Sequence, residues 1–206
     1  MNTENKNKKS SGFKRSLLEW LGIAAVVAIL YLTGLHTEVL GTMQRALLWT
    51  GLFDANAHEV TTVEGPFLSG DSQQLSLVTP KGEQRTLRDF EGKVLFINVW
   101  ASWCPPCVAE MPTIETLYEE VGENDNIEFL LISLDEEPEK AVNFMKGKEF
   151  SMPYYFPTSG MPQVLQSPYI PSTYVISKKG QVIYKKEGIA DYSAPEFRNW
   201  LVGISQ

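Results

Sequence analysis

The chain has 206 residues, with 25 acidic groups against 18 basic ones, and holds only two cysteines and two histidines. Its net charge of −7 argues against a nucleic-acid binder, which must neutralise phosphates. A structural zinc takes four ligands, and His36 and His58 lie far upstream of Cys104 and Cys107.

The charge is unevenly spread. Residues 1–16 carry five basic groups and one acid, net +4, whereas residues 36–206 carry 13 basic and 23 acidic groups, net −10. Between them, Leu17 to Leu35 is a 19-residue run whose one charge, Glu19, sits near its start. As a helix it would span about 28 Å, close to the thickness of a bilayer core. Basic flanks stay in the cytosol. The expectation is therefore a cytosolic tail (1–16) and a single transmembrane anchor (17–35) in the inner, cytoplasmic membrane, with the rest on the extracytoplasmic side. A cleaved signal peptide is the alternative. No small-x-small site closes the run, which is also longer than the usual apolar core of such peptides. Leu40, Met43, Leu47 and Leu48 recur at helical spacing, and Asp54 to Glu64 is polar, so residues 36–62 read as a juxtamembrane helix and linker.

Residues 63–206 are enough for one domain. Leu75 to Val78 and Gln84 to Leu87, around Pro80-Lys81-Gly82, predict a hairpin. Val94 to Val99 is almost continuously apolar, as a central buried strand should be. A helix follows Cys104 to about Val121, with Met111, Ile114, Leu117 and Tyr118 inward and Pro112 as an expected kink. Ile127 to Leu134 is a second central strand. Pro138 to Lys148 is a helix with proline in its first turn. Ser151 to Ser167 reads as irregular, with a short helix near Val164. Ser172 to Ile176 and Gln181 to Lys186 form an antiparallel hairpin. Ser193 to Ile204 closes the chain as a helix, with Ser193 and Glu196 as a capping box. Periodicity alone gives an α/β class.

The chemistry concentrates at Trp103-Cys104-Pro105-Pro106-Cys107, placed where a strand hands over to a helix. C-x-x-C spacing there suits thiol–disulfide exchange: one thiol attacks a partner's disulfide and the other resolves the mixed disulfide. A structural disulfide closing so short a loop would constrain the unfolded chain little. If Cys104 caps the helix, its sulfur faces the free N–H groups of the first turn, which favour thiolate. Cys104 is then the attacking thiol and Cys107 the more buried resolving one. Pro105 and Pro106 fit the first two helical positions but remove two of those donors. That leaves the Cys107 N–H for the Cys104 sulfur, which weakens thiolate stabilisation and makes the couple more reducing. The plainer reading is that the two prolines only stiffen the turn.

Glu91-Gly92-Lys93-Val94, Asn98 to Cys107 and Glu110-Met111-Pro112 resemble the TlpA/ResA family of membrane-anchored, thioredoxin-like thiol–disulfide oxidoreductases, and the likeness extends over about Val63 to Gln206. The resemblance implies a thioredoxin-like fold with an N-terminal β extension and an insertion. It implies a redox-active Cys104–Cys107 disulfide with no other cofactor, exported substrate proteins of the apocytochrome c class, and re-reduction by a membrane thiol donor. Asn98 stands where cytosolic thioredoxins carry a buried Asp. Glu110 matches an acidic residue that lies near the disulfide in ResA-type proteins. It shares a helix face with Cys107 and can serve as a base or tune the thiol; otherwise it is an exposed first-turn acid. Trp103 is expected to cover one side of the disulfide, and Trp100 to belong to the core. Tyr169-Ile170-Pro171-Ser172-Thr173 resembles the cis-proline loop of thioredoxin-like proteins, where the Ile170 backbone can pair with an extended substrate. Competing functions are a net disulfide-forming oxidant and a non-catalytic interaction module. A thiol peroxidase lacks support, because Thr113 and Thr116 follow the cysteines.

Overall fold

The strand patterns assemble into one mixed sheet. The computed structural model describes residues 19–26, 32, 65–68 and 75–206. Its strands are β1 (Ser76–Val78), β2 (Gln84–Thr86), β3 (Val94–Trp100), β4 (Ile127–Ser133), β5 (Tyr154–Pro157), β6 (Ser172–Ile176) and β7 (Val182–Glu187). Its helices are α1 (Pro105–Val121), α2 (Pro138–Gly147) and α3 (Pro195–Ile204), with short 3-10 turns at Leu87–Phe90 and Gln163–Leu165. The sheet order is β2-β1-β5-β4-β3-β6-β7. β3 runs parallel to β4, from Val94 opposite Ile127 to Trp100 opposite Ser133, and antiparallel to β6.

β3 is buried along its whole length, so its continuous apolar run serves both faces of the sheet. Alternation divides it. Phe96 and Trp100 join Met111, Ile114, Leu117, Phe129 and Phe197 in the core under α1 and α3. Leu95, Ile97 and Val99 join Leu77, Leu130, Ile132 and Leu165 in the core of the other face. The acid pairs Glu119-Glu120 and Glu136-Glu137 are exposed.

Two local expectations are corrected. The stretch from Ser151 to Ser167 is not merely irregular. It contributes β5, which pairs with β4 on one side and β1 on the other. Four residues bounded by prolines carry little pattern of their own, and tertiary pairing decides them. The last helix is not capped by Ser193: it starts at Pro195 behind Ala194, which makes no side-chain cap. The Ser193 hydroxyl and N–H both donate to Asp191 Oδ1, at 2.6 and 2.9 Å, a local turn that competes with capping. α1 meanwhile continues through Pro112 to Val121.

Ahead of the hairpin, Phe67 bridges Gln181, and Leu68 N–H donates to the Gly180 carbonyl at 2.7 Å. This strap passes so close to β7 that a Cβ at Gly65 would collide with the Val182 carbonyl, so only glycine fits there. Further upstream, residues 19–26 are helical with exposed side chains. Among the described residues no helix is long and apolar enough to cross a membrane. Most of the expected anchor (17–35) and all of the juxtamembrane segment 36–62 lie outside the described residues.

Candidate active site

Cys104 and Cys107 are joined by a disulfide at the start of α1. Val94 to Trp100 delivers the chain to this point, and the turn is closed by Cys104 N–H donating to the Ala101 carbonyl at 3.2 Å. Cys104 is the N-cap, in extended conformation, and its sulfur accepts the Cys107 N–H at 3.3 Å. Pro105 and Pro106 occupy the first two helical positions, so neither supplies a donor. Cys107 is fully buried and Cys104 is 4% exposed. Cys104 is thus the outer of the two, though narrowly so while the disulfide is closed.

The β6 loop completes the front of the site. The Ile170–Pro171 peptide is cis, and the Ile170 carbonyl oxygen lies 3.7 Å from Cys104 Sγ. Trp103 is 56% exposed and Tyr169 is also exposed, so an aromatic side chain stands in solvent immediately before Cys104 in the chain and another immediately before Ile170. Trp100 is buried in the core.

Behind the disulfide lies a buried polar cluster. Glu110 is completely buried, not the exposed first-turn acid that its position in the helix also allowed. Its Oε1 accepts from Asn98 Nδ2 at 2.7 Å, and its Oε2 accepts from Ala190 N–H at 3.2 Å. Asn98 also donates to Thr173 Oγ1 at 2.9 Å, tying α1, β3 and β6 together. Burial pushes the Glu110 carboxyl up to about 8, against the opposing pull of the bonds from Asn98 and Ala190. Among the described residues no cation compensates it in this cluster, so desolvation wins over two hydrogen bonds. Burial likewise holds the Tyr192 phenol well above its usual range, with the Glu110 charge adding to the effect.

One residue at the site was not anticipated from the sequence. Asp135, just past β4, is nearly buried. Its carboxylate accepts from Ser102 N–H (2.9 Å), Ser102 Oγ (2.6 Å) and Ser133 Oγ (2.8 Å). The two bonds to Ser102 hold the turn that presents Trp103 and Cys104. A signal existed: Asp135 follows a parallel strand adjacent to β3, and the carboxyl ends of such strands flank binding crevices. Asp135→Ala is expected to cost about 2–3 kcal/mol, since it leaves Ser102 and Ser133 donors unpaired, and to raise the pKa of the Cys104 thiol by loosening its cap. Asp135→Asn, which keeps an acceptor, should recover most of both. Urea unfolding and the pH profile of Cys104 alkylation check this; equal behaviour of the two variants would refute the clamp.

Among the described residues no His, Cys, Asp and Glu cluster has a metal-holding arrangement. A redox disulfide at a helix N-terminus, on a thioredoxin-like sheet and opposite a cis-proline loop, defines a thioredoxin-like protein disulfide oxidoreductase. Comparison with known proteins agrees. The chain is 28% identical over 138 residues to the thiol-disulfide oxidoreductase ResA of Bacillus thuringiensis subsp. konkukian, covering 62% of this chain and 78% of that protein. It is 32% identical over 108 residues to the thioredoxin-like protein YneN of Bacillus subtilis, covering 52% and 64%. The crystal structure of StoA from Bacillus subtilis shares the fold with a TM-score of 0.52 at 20% identity, over 61% of this chain and 93% of StoA. Residues 61–200 match Redoxin, and the chain belongs to that family, as a thiol–disulfide oxidoreductase of the ResA type.

Proposed function

We propose that the protein is a membrane-anchored reductase of disulfides in exported proteins, with cysteine pairs of the apocytochrome c class as its substrates. The observation that carries the direction is the cap of α1. Cys104 Sγ receives an N–H from Cys107, and the two preceding positions are prolines without donors. A thiolate deprived of such bonds is less stabilised, so the reduced form gives up its electrons more readily. The basic tail and the apolar run of residues 17–35 support the anchor and an extracytoplasmic domain.

An extended substrate segment pairs with the Ile170 backbone beside Pro171, with Trp103 at the rim. The Cys104 thiolate attacks one sulfur of the substrate disulfide, forms a mixed disulfide and expels the other sulfur as a thiolate, which takes a proton from water. Cys107 then loses its proton and attacks Cys104 Sγ. The internal disulfide closes and the second substrate sulfur leaves as a thiolate, which takes a proton from water. Two electrons have passed from the cysteine pair to the substrate. Glu110, one helical turn beyond Cys107, takes up the proton that Cys107 loses and returns it when the pair is reduced again. A membrane dithiol donor supplies the electrons for that return.

Location and direction are tested together by labelling intact cells with a membrane-impermeant maleimide. Cys104 should be modified without lysis and without prior reductant. Modification only after permeabilisation would overturn the topology. Modification only after added reductant would show a pair held oxidised, and hence an oxidant.

A further inference from the structure

We propose that the small cavity behind the Ile170–Pro171 loop is a specificity pocket for the substrate residue adjacent to the attacked cysteine, and that it selects an uncharged aliphatic side chain. This rests on the pairing of substrate with the Ile170 backbone proposed above. The cavity has a volume of about 90 Å³, and its apolar wall is made by Val99, Leu134, Met161, Leu165 and Ile170.

Its position relative to the disulfide carries the inference. Cys104 belongs to the core on the α1 side of the sheet. Val99 and Leu165 belong to the core of the opposite side, and Ile170 packs against both. The disulfide and the cavity therefore lie on opposite faces of the same loop. Successive side chains of an extended strand point to opposite faces. A substrate whose cysteine reaches Cys104 consequently turns its neighbouring side chain toward the cavity.

The chemistry of the walls sets the occupant. Three of the four polar side chains lining the cavity, Gln166, Ser167 and Ser172, already donate to partners within the protein. Ser172 Oγ donates to the Tyr169 carbonyl at 2.7 Å, Gln166 Nε2 to the Met161 carbonyl at 2.7 Å, and Ser167 Oγ to Glu187 Oε1 at 2.9 Å. A charged or amide side chain would be desolvated there without compensation. Size sets the upper limit: a cavity of about 150 Å³ accepts a benzene ring, so this one suits valine, leucine or isoleucine and not an aromatic ring.

The test uses the reduced full-length protein in detergent. Short peptides carry one cysteine capped by the chromophoric thiol of Ellman's reagent and differ only in the residue next to it. Release of the cap reports attack by Cys104. Leucine or valine at that position should react about tenfold faster than glycine, and faster still than aspartate, as expected for an apolar side chain entering a fitted pocket. Within Leu134→Phe, and independently within Met161→Phe, the leucine-to-glycine ratio should fall to within about twofold, because the ring fills the space. Equal rates for leucine, glycine and aspartate in the native protein would overturn the pocket, as would a ratio that survives both substitutions. The pairing is tested separately with a leucine peptide N-methylated at the flanking residue. Slowing supports pairing with Ile170, and an unchanged rate removes the premise and the pocket with it.

Discussion

Cys107→Ser should convert the enzyme into a trap. Cys104 can still attack a substrate disulfide, but serine does not open the mixed disulfide that results. Resolution by a neighbouring thiol benefits from an effective concentration far above any free thiol, so losing it should lower turnover about a thousandfold or more. The mixed disulfide should then persist for minutes to hours, the scale of uncatalysed exchange, and be visible on non-reducing gels with its captured partner. Cys104→Ser should trap almost nothing, because Cys107 is wholly buried. Equal capture by the two variants would reverse the roles assigned to the thiols. Absence of capture from exported proteins by Cys107→Ser would count against the proposed substrates.

Glu110→Gln should abolish a pH dependence that the native protein shows in both stability and rate. Burial raises the Glu110 carboxyl from 4.5 to about 8, so the folded state binds a proton more tightly than the unfolded state. The stability linked to this group is complete below about pH 4.5 and is lost as pH rises through about 8. Within that window the slope approaches about 1.4 kcal/mol per pH unit. Glutamine does not titrate, but its single amide oxygen can accept from the Asn98 amide or from the Ala190 N–H and not from both; the variant should therefore show a flatter profile, with its stability at alkaline pH close to its stability in acid. Urea unfolding of the oxidised forms at roughly pH 5 and pH 9 measures this. The rate of mixed-disulfide resolution should titrate near pH 8 in the native protein and lose that inflection in the variant. Parallel pH profiles for the two proteins would contradict an uncompensated buried carboxyl.

How much of this was legible depends on the range over which each feature is decided. β3 and α1 were readable because a strand buried on both faces is apolar throughout and an inward helix face repeats its own period. The capping role of Cys104 followed from a cysteine placed directly before two prolines, and the role of Pro171 from the likeness of Tyr169-Ile170-Pro171-Ser172-Thr173 to the cis-proline loop of thioredoxin-like proteins. β5 was missed because Tyr154–Pro157 gains its partners from β1 and β4, far away in sequence. Ser193 looked like a cap because residue type alone does not reveal that Asp191 claims its donors.

The sequence by itself determined the redox pair, the donor-poor helix start that presents it and the strand that leads to it, since each is a matter of residues within a few positions of one another. Only the tertiary structure decided that Glu110 is buried against Asn98 and Ala190, that Asp135 holds Ser102, and that Ile170 separates the disulfide from an apolar cavity. Spacing along a helix tells which residues share a face. What that face packs against, and therefore how much water it loses, is settled by elements distant in the chain, and desolvation is what shifts the carboxyl and shapes the pocket.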